Sequence, residues 1–145
     1  MIKNHNFEFT YNGVAILRFP NGMRFDRENR TDCEDSFQLI SPDGSFRLNI
    51  EFFRSTKGAK ELIEELNTPE EHEIICPPRA IRTAKGVEGY TIVYAIGDGC
   101  YEEYTLDLRD ETRFNFWLLH KRSTTYDSEL YEQVKKEMLE NIIKI

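Results

Sequence analysis

The sequence predicts an α+β fold, in which a mostly antiparallel sheet of about six to eight strands carries an internal helix and a C-terminal helix packed on it. Two observations predict this class. Three apolar runs between Tyr90 and His120 are separated by the short turns at 97–99 and 109–112, which is the pattern of an antiparallel meander. An amphipathic helix then follows the meander.

The part of the chain before residue 54 predicts two hairpins. Segments 7–9 and 14–19 are short apolar runs around Tyr11-Asn12-Gly13, and Asn-Gly tolerates the positive φ that a tight hairpin turn needs. Segments 36–40 and 45–53 flank Ser41-Pro42-Asp43-Gly44, whose proline and glycine positions suit a type I turn. Pro20-Asn21-Gly22 predicts a further turn, and the polar stretch 23–35 predicts a loop.

Two segments have helical periodicity. The internal helix begins at Ser55 or Thr56, ends at 67–69, and has one apolar stripe: Ala59, Leu62, Ile63 and Leu66. The final helix runs from about residue 127 to 143, with Asp127 or Ser128 as its N-cap. Its apolar face consists of Leu130, Tyr131, Val134, Met138 and Ile142.

Extended segments at 72–76 and 80–85 lie on either side of Pro77-Pro78. Proline donates no ladder hydrogen bond, so this region is predicted to form a sheet edge or a bend.

Size and charge limit the classes of function. The 145 residues predict one domain, 1–145, and the net charge of −7 disfavours nucleic acid and anionic membranes as partners, because both are bound through Lys and Arg. No segment approaches the apolar length of a membrane span. The N-terminal sequence has no signal-peptide pattern, so a cytoplasmic location is expected.

The three cysteines, Cys33, Cys76 and Cys100, are isolated and lack CxxC spacing. Free and mostly buried thiols in a reducing compartment are the expected state. A Cys33–Cys76 or a Cys76–Cys100 disulfide is the alternative, and no spacing favours either.

The meander turns predict the two faces of its sheet. A three-residue turn would pair Ile96 with Cys100, and the next turn would pair Leu108 with Arg113. Face one then contains Glu102 among apolar side chains and is expected to pack under the final helix. Face two is mixed, and is expected to be covered by the internal helix or left partly open as a binding surface.

No catalytic or ligand-binding motif is found. The histidines His5, His72 and His120 have no metal-ligand spacing, and the acidic run 70–73 is interpreted as a solvated charge cluster. Gly97-Asp98-Gly99 is a hairpin turn rather than a phosphate-binding loop. The sequence therefore predicts a protein that is not an enzyme and has no cofactor or metal.

The stretch GYTIVYAIGDGCYEEYTLDL, with the aromatic strand and terminal LENIIKI helix after it, resembles the PsbP-like family. The opening strand 14–19 and the turn at 20–23 extend the resemblance over most of the chain. The family includes the photosystem II extrinsic subunit, a Ran-binding nuclear import factor and the periplasmic DcrB protein. The resemblance implies an antiparallel sheet flanked by helices and a role in binding proteins, with some bacterial relatives acting as chaperones or adaptors. It assigns no functional residue.

Three functions are predicted. The first is a non-catalytic protein-binding module or adaptor, with a contact surface made of Tyr101, Glu103, Phe114 and Phe116. The second is a small-ligand or enzymatic pocket between sheet and helix, built from Glu102 with Tyr94 or Tyr104. The third is self-association through the strand near 72–76, which gives a monomer or a homodimer.

Overall fold

The computed structural model describes residues 8–28 and 35–145, with the side chains of Arg27 and Glu28 excepted. In chain order the elements are β1 Glu8–Tyr11, β2 Ala15–Arg18, β3 Arg24–Glu28, β4 Asp35–Ile40, β5 Phe46–Arg54, α1 Ala59–Glu65, β6 Glu73–Arg82, β7 Glu88–Ile96, β8 Gly99–Asp107, β9 Thr112–Lys121, α2 Ser128–Asn141 and β10 Ile142–Lys144.

The strands form two antiparallel sheets. The larger has seven strands in the order β3-β4-β5-β9-β8-β7-β6, and the smaller has three in the order β1-β2-β10. The predicted α+β class, with an internal and a C-terminal helix on a mostly antiparallel sheet, is confirmed. None of the described helices is long and apolar enough to cross a membrane.

The main core lies on one side of the seven-stranded sheet. Alternate residues of β5 and β9, such as Leu48, Phe52, Phe114 and Phe116, are fully buried there against the small sheet and α2, as the two-residue period of a strand requires. On the opposite side, α1 packs on β6, β7 and β8. This second, smaller cluster is centred on Ile63, Ile92 and Tyr94.

α2 forms as its sequence pattern predicts. The side chain of Asp127 accepts a hydrogen bond from the Leu130 amide at 3.1 Å, which caps the first turn. Tyr131, Val134 and Met138 are its buried residues. The helix ends at Asn141, two residues before its predicted end.

Two strands lie where sequence periodicity does not predict them. Residues 24–28, expected to be a loop, form β3, because their backbone pairs with β4 and Phe25 packs against the core. Ile142, expected to be the last apolar residue of the helix, is buried in β10, which pairs with β2. β10 pairs with a strand near the start of the chain, whereas β3 pairs with the next strand in sequence.

β6 is the edge of the large sheet, as its Pro-Pro pair predicts. The two predicted segments form one continuous strand, whose register against β7 shifts on both sides of Cys76. The prolines thus lie in a bulged edge strand, where a missing ladder donor is tolerated.

The predicted meander is present, but its predicted register is wrong by one residue at both turns. Ile96 pairs with Gly99 and Asp107 pairs with Arg113. The first loop is the two-residue Gly97-Asp98 turn, with Gly97 at a φ of 56°, which suits a tight hairpin. A slip of one residue reverses a strand's faces, so the faces of β8 are exchanged relative to those of β7 and β9.

Candidate functional site

Glu102 is the centre of a polar cluster between the sheet and α2. Its Oε1 accepts a hydrogen bond from the Tyr131 hydroxyl at 2.8 Å, and its Oε2 accepts from Lys135 Nζ at 3.2 Å and from the Tyr104 hydroxyl. The side chain of Glu102 is only 12% exposed. Burial of a carboxylate is tolerated because three donors replace its water shell.

Burial and charge act together on the groups around Glu102. Burial raises the pKa of both Tyr104 and Tyr131 far above the usual range, and the nearby negative charge of Glu102 adds to this effect. For Lys135, burial alone would lower the pKa, but its hydrogen bond to Glu132 and the charge of Glu102 outweigh burial and raise it. Both tyrosines therefore stay neutral donors, and Lys135 stays a cation.

A groove of about 530 Å³ runs beside this cluster, between β6 and α2. Tyr104 and Lys135 belong both to the Glu102 cluster and to the groove wall. The other lining residues come from β6 and the turn after it, and from the exposed side of α2: Arg79, Ile81, Arg82, Thr83, Ala84, Glu132, Lys136, Leu139 and Glu140.

The groove is basic although the chain is acidic. It has four cationic side chains and two carboxylates, whereas the whole chain has a net charge of −7. Lys135 is neutralised by Glu102 and by Glu132, which lies 3.0 Å away. Among the described residues Arg79 and Lys136 have no ion-pair partner, so two cations face the solvent in the groove.

A second polar cluster lies on the opposite face of the sheet, under α1. The Tyr94 hydroxyl donates to Oε2 of Glu103, and Asn115 Nδ2 lies 3.3 Å from Oε1. Burial raises the pKa of Glu103 above its ordinary value. The ring of Tyr94 stacks between those of His72 and Tyr101, with centroid distances of 4.4 and 5.1 Å.

Beyond α1, the same side of the sheet continues over β9, β5 and β4. The described part of the chain places no helix there, since α1 packs on β6–β8 and α2 lies on the other side. We call this region the open face. Its side chains are mostly half-buried: Gln38, Ile40, Arg47, Asn49, Glu51, Trp117 and Leu119, with Tyr101 and Glu103 at the border with α1.

The seven residues predicted for the two sites divide differently in the structure. Glu102 and Tyr104 are in contact as predicted, but Tyr94 lies on the opposite face and bonds Glu103 instead. The predicted partner surface is also split: Tyr101 and Glu103 border the open face, whereas Phe114 and Phe116 are fully buried in the main core. Phe114 and Phe116 therefore cannot contact a partner, and the cause is the register of β8.

Other site residues were missed in the sequence. Tyr131 and Lys135 reach Glu102 from α2, whereas the sequence predicts a partner for Glu102 only because a buried carboxylate needs one. The sequence predicts His72 within a solvated charge run, but its ring stacks on Tyr94 and its Nδ1 donates to the Leu66 carbonyl at 2.7 Å. Neither contact has a local sequence signal.

Cys76 and Cys100 are free thiols, as expected, so a Cys76–Cys100 disulfide is absent. Cys76 is exposed and Cys100 half-buried, so the expectation that the thiols are mostly buried is wrong for Cys76. Burial raises the pKa of the Cys100 thiol, which lowers its reactivity. Cys33 lies outside the described residues.

Comparisons with known proteins leave the family open. No protein-family model and no curated protein matches the chain. A crystal structure of a Bacteroides thetaiotaomicron VPI-5482 protein, at 1.50 Å resolution, aligns with 95% of this chain at 10% identity and a TM-score of 0.47. The chain spans about half of that structure, 48% of its length. The resemblance to the PsbP-like family stays a prediction.

Proposed function

We propose that this chain is a non-catalytic binding protein whose groove between β6 and α2 holds a small anion with an apolar part. The main supporting observation is a basic groove of about 530 Å³ in an acidic chain. A concave site with a few convergent polar groups is the usual form of a ligand site.

The ligand class follows from the lining of the groove. Arg79 and Lys136 have no ion-pair partner among the described residues, so an acidic group can be neutralised without breaking an existing pair. Ile81, Ala84 and Leu139 supply apolar surface in the same groove. A carboxylate or phosphate attached to a short alkyl chain satisfies both parts.

Glu102 has a structural role in this proposal. Its two oxygens already accept from three donors, which leaves it poorly placed to remove a proton from a ligand. It fixes Lys135 and Tyr104, the two groove residues that it contacts. Binding without chemistry is therefore the function that the cluster supports.

Calorimetric titration with octyl phosphate tests this proposal. The double variant Arg79→Gln/Lys136→Gln is expected to weaken binding at least tenfold, about 1.4 kcal/mol, because charge-assisted contacts to the phosphate are lost. Lys60→Gln/Lys121→Gln removes the same total charge elsewhere and is the matched control. Equal weakening by both variants would mean only long-range charge attraction, and no binding by the native protein would reject the proposal.

The predicted adaptor role remains a second proposal, supported by the half-buried Tyr101 and Leu119 beside Trp117. Pull-down with Leu119→Ser is the suitable test. Glu103 is less suitable for substitution because its carboxyl group accepts a hydrogen bond from Tyr94 under α1. Retention of all captured partners by this variant would remove the open face as the contact surface.

The predicted self-association through β6 is the third proposal for the function of this chain. Its edge is unpaired in the described chain, and Ile75 is 47% exposed. Sedimentation is expected to show a dimer for the native protein and a monomer for the Ile75→Lys variant, because a charge on an edge strand opposes pairing. A native monomer at high concentration would reject this role.

A further inference from the structure

Asn49 is an unusual residue at the centre of the open face. Its side chain is nearly buried, with 6% of the residue exposed, yet its carboxamide has no hydrogen-bond partner among the described residues. A buried amide without a partner is destabilising, so a native structure normally supplies one. Here the partner would have to come from outside the described chain.

The neighbours of Asn49 form a row across four strands. Gln38 of β4 and Trp117 of β9 pair directly with Asn49, and Glu103 of β8 pairs with Trp117. Adjacent strands lie about 4.8 Å apart, so an aromatic ring stands between amide and carboxylate groups at contact spacing. At one end of the face, a cavity of about 410 Å³ is lined by Arg47, Tyr101 and Leu119 among others.

We propose that the open face binds a neutral saccharide, with Trp117 stacking on the sugar ring and Asn49 and Gln38 bonding its hydroxyl groups. A hydroxyl both donates and accepts, and so can satisfy both halves of a carboxamide. An apolar protein surface laid on this row would instead leave Asn49 without a partner.

The charges of the open face favour an uncharged ligand. Arg47 is paired with Asp26 at 2.6 Å, and Glu103 is held by Tyr94 and Asn115. An anion would therefore have to displace Asp26 from Arg47 before meeting a cation. A hydroxyl-rich neutral ligand needs no such exchange.

Trp117 provides a direct readout, because it is the one tryptophan of the chain. Titration of the native protein with maltohexaose, cellohexaose, xylohexaose, mannohexaose and chitohexaose is expected to change its emission, with saturation, for at least one of them. Absence of a saturable change with all five at millimolar concentration would overturn the proposal.

Calorimetry with the best of these saccharides then tests the residues. Asn49→Ala and Trp117→Phe are each expected to weaken binding at least fivefold. Asn49→Ala should unfold at the same urea concentration as the native protein or a higher one, since the amide that it removes has no partner in the described part of the chain. Asn21→Ala, on the distant turn at 20–22, is the matched control and should bind normally.

Two further results separate this inference from the proposed function and from a protein partner. The groove variant Arg79→Gln/Lys136→Gln should leave saccharide binding unchanged. Loss of saccharide binding by this variant would place the saccharide in the groove instead. A change of Trp117 emission with protein concentration alone, accompanied by dimerisation, would assign the open face to a second copy of the chain and overturn the proposal.

Discussion

Tyr131→Phe tests how much the Glu102 cluster contributes to stability. The variant removes one hydroxyl and keeps the ring, so the contact of Tyr131 with Phe46, at a centroid distance of 5.3 Å, is retained. Its hydroxyl donates to Glu102 at 2.8 Å. Tyr131 is 4% exposed and the side chain of Glu102 is 12% exposed. Solvent screening is therefore small, and the carboxylate has little access to replacement water.

A hydrogen bond to a charged group contributes about 1.5–3 kcal/mol, and a buried acceptor left without its donor costs a similar amount. We expect Tyr131→Phe to lower the free energy of unfolding by about 1.5–3 kcal/mol. For a chain of this length the fall in Tm is roughly 5–10 °C. Urea unfolding followed by circular dichroism measures the first quantity, and a thermal melt measures the second.

Tyr126→Phe is the matched control, because the Tyr126 ring also contacts Tyr131 but its hydroxyl has no hydrogen bond among the described residues. We expect this control to stay within about 0.5 kcal/mol of the native protein. If Tyr131→Phe lost no more than the control, Glu102 would be solvated rather than held by its donors, and the reasoning about this cluster would be wrong.

Three other predictions concern a buried carboxyl group, a closely packed glycine and a helix cap. Because burial raises the pKa of Glu103 above 4.5 in the folded state, its contribution to stability is full below that value and is lost as the pH rises through the folded pKa. The stability gained by Glu103→Gln should therefore grow between pH 4 and 7 in urea titrations, and a constant difference would contradict the shift. Gly89→Ala should destabilise the protein by about 3 kcal/mol or prevent folding, because the added Cβ would lie 2.2 Å from the Thr105 carbonyl oxygen. Gly58→Ala is the control, since its Cβ meets only an ordinary contact at 3.6 Å. Similar melting temperatures for the two variants would refute this prediction. Asp127→Ala removes the N-cap of α2 and should cost about 1 kcal/mol, a loss that Asp127→Asn should largely avoid.

Glu102 and Glu103 illustrate how far a sequence predicts a site. Their adjacency in a strand places them on opposite faces, and the sequence predicts that separation from the two-residue period alone. Which neighbours each one meets depends on the strand register, and a turn assigned one residue too long exchanged those neighbours. The predicted register places Tyr94 with Glu102 and Phe116 with Glu103, whereas in the structure Tyr94 bonds Glu103 and Phe116 pairs with Tyr104 on the face of Glu102.

Local signals determined the parts of this protein that depend on neighbouring residues. Asn-Gly and Pro-Asp-Gly turns, the apolar stripe of α2 and its Asp127 cap, and the exclusion of Pro77-Pro78 from a central strand are properties of short segments. Each follows from allowed backbone angles or from a hydrogen bond within a few residues.

The tertiary structure decided everything that joins distant segments. β10 forms through backbone pairing with β2, and Lys135 reaches Glu102 from a helix 33 residues away. The groove and the open face likewise exist only after packing. The physical reason is that pairing and burial reward contacts between segments whose own sequences carry no preference for one another.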